Sequence, residues 1–364
     1  MATSVTVIGA GNGGTAIAAY MASQGAELTL CDPFPEYLDG IEQAGGIELT
    51  QDEKTQFIPL DRITTDVAKA IIGAQLIMVV TPAFTHQMIA SACSLSLVDD
   101  QIIVLNPGRT GGALAFLETV RNNGCSAKII VAEAQTLIYA CRKTGVASVE
   151  IYGVKNNVDL GVIPAKRTKD ALDLIHQFYP QFVAAENSFE TSMSNIGALF
   201  HPTPILLNIG RIENDTNGFR YYIDGITPSV AVLIKAVDSE RMAVAKAYGV
   251  KVNSVEEWLN RAYGIEIGDL YYMLQHNDAY YEIMAPHNIE VRYVTEDVPM
   301  SLVPISELGK LAYVQTPNID SIIQLASSIY GRDFRLHGRN SQSLGLDGMN
   351  KMQIARYFEI GEKQ

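Results

Sequence analysis

Near its start the chain reads Gly9-Ala10-Gly11-Asn12-Gly13-Gly14, straight after the apolar run Ser4–Ile8 and straight before an alanine-rich stretch, 13–23, with Ile17 and Met21 at helical spacing. Glycines cluster in many turns, but these flanks narrow the choice. A strand that turns at once into a helix is the opening of a parallel sheet with crossover helices. The spacing G-x-G-x-x-G gives each glycine its own steric role. Gly9 allows the tight turn, Gly11 lets the backbone approach a pyrophosphate, and Gly14 lets helix and strand pack closely. Asn12 and Gly13 complete the turn, and the unpaired N–H groups and dipole of the helix that starts there suit a phosphate.

About twenty residues on, a second strand (27–31) ends at Asp32, where a carboxylate can hydrogen-bond an adenosine ribose. The residues that follow, Pro33, Phe34, Pro35 and Glu36, include no Lys or Arg for a 2′-phosphate. NAD(H) is therefore favoured, with NADP(H) possible.

The pattern of short β-rich runs alternating with helices continues to about residue 184. Strands are expected over 74–80, 101–105 and 128–132, apolar on both faces as a doubly covered sheet requires. A strand pair is expected over 46–60, a short helix over 65–72 with Thr65 as its N-cap, strands broken by glycine over 137–163, a helix over 167–178 and a last strand near 181–184. Ligands of an open α/β sheet bind past the carboxyl ends of its strands. Thr81-Pro82 and Pro107-Gly108-Arg109 stand at such ends and are expected beside a nicotinamide or a substrate, although a plain strand stop and a surface-loop cation account for them too. After about 185 long helical patterns take over: 229–248 runs without Gly or Pro, Ser254-Val255-Glu256-Glu257 is a capping box, and Thr316-Pro317 opens a helix whose apolar residues recur from Ile319 to Ile329. The expected architecture is an α/β, doubly wound, mainly parallel Rossmann domain over 1–184 and an all-helical domain over 185–364.

With 48 % hydrophobic and 18 % charged residues, both domains can bury a core. The net charge of −13 disfavours nucleic acid and anionic membranes as partners. No apolar stretch reaches 18 residues, so no membrane span is expected. Cys31, Cys93, Cys125 and Cys141 form no C-x-x-C pair and no histidines have zinc spacing, which predicts buried thiols and no metal. The start, Met-Ala-Thr-Ser, carries no basic leader, so a cytoplasmic location is expected.

Beyond the glycine turn, several segments carry a more specific pattern. Asn106-Pro107-Gly108-Arg109-Thr110-Gly111-Gly112-Ala113-Leu114, Glu133-Ala134-Gln135-Thr136-Leu137-Ile138-Tyr139-Ala140-Cys141-Arg142, Phe200-His201-Pro202, Arg292-Tyr293-Val294-Thr295-Glu296-Asp297-Val298-Pro299 and Gly331-Arg332-Asp333-Phe334 together resemble the opine dehydrogenases of the octopine/nopaline type, over essentially the whole chain. The resemblance implies reductive joining of an amino acid to a 2-oxo acid such as pyruvate with NAD(P)H, in a cleft between the domains of an expected homodimer. It implies His201 as the proton-transfer residue, Asp297 as its carboxylate partner and Arg292 as a substrate-binding arginine, with Gln135, Thr136 and Arg109 also at the substrate.

The chemistry suits those residue types. A histidine titrates near neutrality and can both take and give a proton. A carboxylate on its far nitrogen sets the tautomer, and an arginine fork matches a carboxylate. From the residues alone the choice stays open. His86, His176, His276, His287 and His337 are equally eligible, and a helix end or core position accounts for His201. Asn195 and Asn208 could line a cleft or cap helices, and Tyr271-Tyr272 and Tyr280-Tyr281 could shape a pocket or fill a core. Two rivals differ in their demands: a reductase of ketones or 2-oxo acids without amine condensation needs a catalytic lysine such as Lys235, Lys246 or Lys251, and an NAD(H)-binding sensor needs no catalytic residue at all.

Overall fold

The computed structural model describes residues 2–363. Twelve strands form in chain order: β1 Ser4–Ile8, β2 Glu27–Cys31, β3 Gly46–Gln51, β4 Lys54–Pro59, β5 Arg62–Thr64, β6 Leu76–Val79, β7 Ile102–Leu105, β8 Ile130–Ala134, β9 Tyr139–Lys143, β10 Ser148–Val154, β11 Val158–Ile163 and β12 Phe182–Ala184. Eight of them make one sheet in the order β12-β11-β8-β7-β6-β1-β2-β5, parallel throughout except where β11 meets β8. β6 and β7 are buried at every residue, as strands covered on both faces must be. The strand order reverses at β1, which pairs with β2 on one side and β6 on the other. The loops after β1 and β6 therefore flank the crevice where open α/β sheets take their ligands.

The strand pair at 46–60 forms as the alternation predicts, but it is half of something larger. β3 pairs in parallel with β10, giving a second sheet in the order β4-β3-β10-β9. This sheet packs on the first helix, Asn12–Ser23. Tyr139 of β9 reaches Tyr179 through a 3.1 Å hydroxyl contact, and Tyr20 stacks on Tyr179 with ring centroids 5.2 Å apart. No local pattern ties 46–51 to 148–154; only burial of both apolar faces on the same helix does.

The described chain separates into two compact units. One comprises the residues up to Ser192 and again from Arg356; the other is Met193–Ala355. By contacts, residues 185–192 and the end of the chain group with the first unit. Residues 185–192 stay with the sheet because Thr191 and Ser192 donate to the buried carboxylate of Glu133 on β8. The end of the C-terminal helix returns to the first unit because Tyr357 donates to Glu118 at 2.7 Å and the Phe358 ring lies against Phe189.

The second unit is built of helices, of which Pro228–Ala247 is the longest. Its Arg241 is fully buried, held by Asp238 and by the carbonyls of Met193 and Asn253. Ser254 and Glu257 form the predicted capping box. One predicted N-cap residue differs, and another holds its position without the capping bond. Asp66, not Thr65, accepts from the Lys69 N–H at the start of Val67–Ala70. Thr316 stands at the N-cap of Pro317–Tyr330, but its side chain makes no capping bond. The buried Glu240 carboxylate takes the Asn318 and Ile319 N–H groups instead, each at 2.9 Å, and a charged acceptor outcompetes a hydroxyl there. All four cysteines are free; Cys31, Cys93 and Cys125 are buried, whereas Cys141 is only partly so. Among the described residues no helix is long and apolar enough to cross a membrane.

Candidate active site

The glycine turn meets its steric demands unevenly. Gly9 sits at φ +111°, and a Cβ there would stand 2.5 Å from the Val80 carbonyl oxygen. A Cβ on Gly14 would stand 1.8 Å from the Gly9 oxygen, so this glycine is what lets the helix start against the strand. A Cβ on Gly13 would press on the Leu137 side chain at 2.9 Å. At Gly11 a Cβ would meet no protein atom within 4 Å. Gly11 is also the N-cap of Asn12–Ser23 and supplies no side-chain acceptor to the first N–H groups of that helix. Backbone donors beside a position with room around it are what a pyrophosphate requires, so the turn fits a dinucleotide.

Asp32 is buried behind the turn. Its Oδ2 accepts from Ala10 N at 2.8 Å and its Oδ1 from Phe34 N at 3.0 Å. The carboxylate thus holds the turn to the end of β2 and keeps one lone pair on each oxygen. No Lys or Arg follows Asp32 directly in sequence, but the fold brings a lysine close enough for its charge to act on it. Lys143 of β9 donates its backbone N–H to the Asn12 side chain at 2.9 Å, and its ammonium lies 3.4 Å from the Ala10 carbonyl. Burial lowers the Lys143 pKa, and the charge of Asp32 opposes that shift.

The other predicted residues of this unit gather at the carboxyl ends of β6, β7 and β8, which follow β1 in order across the sheet. Thr81 and Pro82 follow β6; the Thr85 hydroxyl lies 2.8 Å from that of Thr81 and donates to the Pro82 carbonyl. Arg109 follows β7 at φ +60°, a backbone region costly for a residue with a side chain. Gln135 and Thr136 follow β8, both half-buried. Glu133, which had no role assigned from sequence, organises this edge. Its carboxylate accepts from Ala113 N at 2.7 Å, Thr191 Oγ1 at 2.8 Å and Ser192 Oγ at 2.6 Å. Ser192 Oγ in turn accepts from Gly111 N. A Cβ on Gly108 would collide with Glu133 at 2.3 Å. The loop carrying Arg109 is therefore clamped from both ends.

In the helical unit, His201 stands where Gly197–Phe200 ends and Pro202–Leu207 begins. Its backbone has the helix-terminus role that sequence allowed, and its carbonyl accepts the Tyr221 hydroxyl at 2.8 Å. Burial pushes that phenol well above its ordinary pKa, so it remains a donor. The ring does other work. Nδ1 lies 2.8 Å from Asp297 Oδ2 across 96 positions of sequence. The carboxylate is fully buried, whereas the imidazole keeps 20 % of its surface. Asp297 is steadied in turn: Ser301 Oγ donates to its Oδ1 at 3.4 Å, and Asn195 donates to Ser301 at 2.7 Å. Ser301 lies in a π-helical turn, Val298–Leu302, a rare geometry that recurs at functional sites. Tyr293 covers the imidazole face, with ring centroids 4.1 Å apart and planes 6° from parallel.

Arg292 begins the short helix Arg292–Thr295 and is half-exposed. Its Nε donates to Glu296 at 2.6 Å, and Glu296 is fully buried. The bond to this buried carboxylate is made through Nε, and the side chain as a whole stays more than half exposed. Sequence reading missed Tyr293 and Glu296, although both lie in the segment 292–299; helical spacing from Arg292 to Glu296 was the available signal.

The remaining candidates fall into other work. His176 bonds the Phe182 carbonyl, His276 stacks on Tyr272, His287 and His337 are exposed, and His86 is buried in the first unit. Asn208 ties two carbonyls, Pro204 and Gly225. Tyr280 is buried and stacked on Tyr222, whereas Tyr272 and Tyr281 are exposed. Lys235, Lys246 and Lys251 do not share a buried pocket, and Lys235 pairs with Glu256. Among the described residues no three His, Cys, Asp or Glu side chains converge as metal ligands would.

Comparison with known proteins agrees with both units. Residues 184–330 match the model of the NAD/NADP octopine/nopaline dehydrogenase alpha-helical domain, and residues 4–123 that of the NAD-dependent glycerol-3-phosphate dehydrogenase N-terminus. The opine dehydrogenase of Arthrobacter sp. (strain 1C) is 39 % identical over 97 % of this chain and 98 % of its own. The fold matches an octopine dehydrogenase solved with NADH and pyruvate (TM-score 0.82, 23 % identity, 100 % and 99 % of the two chains). It also matches an NADP⁺-bound yersinopine dehydrogenase (TM-score 0.76, 12 % identity, 98 % of each). With a glycine turn built for a dinucleotide, a helical unit of the matching kind and near-complete coverage of a relative at this identity, the chain belongs to the opine dehydrogenase family of NAD(P)-dependent oxidoreductases.

Proposed function

We propose that this enzyme condenses the amino group of an amino acid with the carbonyl carbon of a 2-oxo acid such as pyruvate, with His201 and Asp297 moving the protons. The observation that carries the reading is the 2.8 Å contact between His201 Nδ1 and a fully buried Asp297 carboxylate. Asp297 holds the proton of the neutral imidazole on Nδ1, which leaves Nε2 as the basic atom. Nε2 takes a proton from the amino group, which then attacks the carbonyl carbon. Asp297 stabilises the imidazolium so formed. The same imidazolium returns its proton to the hydroxyl of the carbinolamine, which leaves as water and gives the protonated imine that accepts the hydride. Acid–base assistance of this kind contributes ~10²–10⁴-fold in rate. When bound, the reduced nicotinamide supplies the hydride.

Arg292 orients a substrate carboxylate through its terminal NH₂ groups while Glu296 holds its Nε. Gln135, Thr136 and the clamped Arg109 are the further substrate-binding residues of this reading. Gly9, Gly11, Asn12, Gly13, Gly14, Asp32, Thr81 and Pro82 carry the dinucleotide, with NAD(H) favoured because Asp32 repels a 2′-phosphate. A cytoplasmic homodimer completes the reading; light scattering gives the mass.

The test is loss of NADH absorbance with pyruvate alone, with each of twenty amino acids alone, and with both together, the products being weighed by mass spectrometry. A secondary amine formed only with both components is expected. Oxidation of NADH by pyruvate alone, with lactate as product, would overturn the reading.

A further inference from the structure

We propose that Lys143 is a phosphate-binding residue of the cofactor site, its ammonium pairing with one of the dinucleotide's phosphate groups. The inference rests on the reading of the glycine turn as a dinucleotide site. It starts from a lysine in an unusual setting. Lys143 comes from β9 of the second sheet, yet its side chain ends at the glycine turn after β1. Among the described residues, the acceptor its ammonium meets is the Ala10 carbonyl at 3.4 Å. That is a weak contact for a charged donor. It is also a shared one, because the Thr15 hydroxyl already donates to the same oxygen at 3.0 Å. Asp32, whose charge acts on Lys143, spends one bond from each oxygen on Ala10 N and Phe34 N.

The placement is built in. The Lys143 N–H is held by the Asn12 side chain at 2.9 Å, and the Cys141 thiol reaches the Asn12 carbonyl at 3.5 Å. The same segment presses Leu137 against Gly13. The stretch 137–143 thus borders the first turn of Asn12–Ser23, where the N–H groups of the helix open. Partly taking an ammonium out of water without a counter-ion in contact is unfavourable, and burial indeed lowers the Lys143 pKa. An anion arriving at the turn removes that penalty. Backbone N–H groups, the helix dipole and one side-chain cation then converge on it, as they do in other phosphate cradles.

Both dinucleotides carry the pyrophosphate, and one carries a 2′-phosphate as well. Fluorescence titration of NADH and NADPH into the wild-type protein, Lys143→Met and Lys143→Arg decides the matter without turnover. Loss of one charged hydrogen bond predicts a roughly ten- to hundredfold weaker Kd in Lys143→Met. Equal weakening for the two cofactors identifies the pyrophosphate; weakening for NADPH alone identifies the 2′-phosphate. Lys143→Arg should retain most of the affinity. Unchanged Kd values for both cofactors in Lys143→Met overturn the proposal. A wild-type protein that binds neither cofactor would instead refute the dinucleotide reading. Thermal melts of the three proteins separate lost binding from lost folding.

Discussion

The turn at Gly9–Gly14 and the pair His201–Asp297 are built on opposite plans. At the turn the working groups are backbone N–H groups, and the side chains matter by being absent. At the pair the backbone is occupied with joining two helices, and in the proposed reading the side chains are the working groups. The first plan needs six consecutive residues; the second needs residues 96 positions apart brought to 2.8 Å. A backbone site is therefore written in a local motif and shared by many enzymes, whereas a side-chain site depends on the whole unit.

Substitution should expose that contrast most strongly at His201. His201→Ala removes the proposed acid–base group and should lower kcat by ~10²–10⁴-fold. NADH affinity, read by fluorescence titration, should stay near wild type. A variant that keeps its turnover would mean that the pair is structural.

Two glycines of the turn test the other plan. Gly14→Ala places a methyl group 1.8 Å from the Gly9 oxygen and should cost the first unit much of its stability, seen as a lower Tm. Gly11→Ala meets no protein atom within 4 Å, so its Tm should match wild type. Its NADH Kd should nonetheless rise about tenfold, the scale of one lost hydrogen bond to a charged group. Equal effects of the two changes would show that Gly11 answers to the fold and not to a ligand.

A smaller effect is expected at Tyr293. An aromatic pair contributes about 0.5–1.5 kcal/mol, so Tyr293→Leu should lower kcat roughly two- to tenfold as the imidazole loses its fixed plane. The KM for NADH should not move, and Tyr293→Phe should restore most of the rate. A loss confined to KM would assign the ring to substrate contact instead.

The smallest change concerns Glu118. Burial works against its charge, but hydrogen bonds from Lys363 and Tyr357 prevail and hold its pKa below the ordinary 4.5. A depressed folded pKa stabilises the protein fully above the unfolded value and loses that contribution as pH falls through the folded one. Thermal melts should find wild type above Glu118→Gln at neutral pH, with the gap closing below about pH 4.5. A gap that persists into acid would mean that packing of the C-terminal helix, not charge, sets the difference.

Much of the fold was legible in the chain itself. Apolar runs bounded by glycine and proline marked the strands, and the G-x-G-x-x-G spacing marked the turn, because sterics and periodicity act over a few residues. Local pattern says less about which side chains hold an element in place. Glu133 holds residues 191–192 to the sheet, and Glu240 caps a helix 79 positions away at Ile319. Lys143 escaped for the same reason, since the residues beside Asp32 in sequence do not include β9. His201, Asp297 and Arg292 stood out through resemblance alone; composition and spacing ranked six histidines equally.

The sequence alone thus settled what depends on near neighbours: the strand-turn-helix opening, the parallel sheet, the helical second half and the dinucleotide class. Only the tertiary structure decided which charged groups meet. It alone brought Asp297 under His201, Glu296 behind Arg292 and Lys143 beside the glycine turn. The physical reason is range. Backbone conformation is governed by adjacent atoms, whereas a buried charge takes whichever partner the fold delivers, and the chain between partners carries no record of their distance in space.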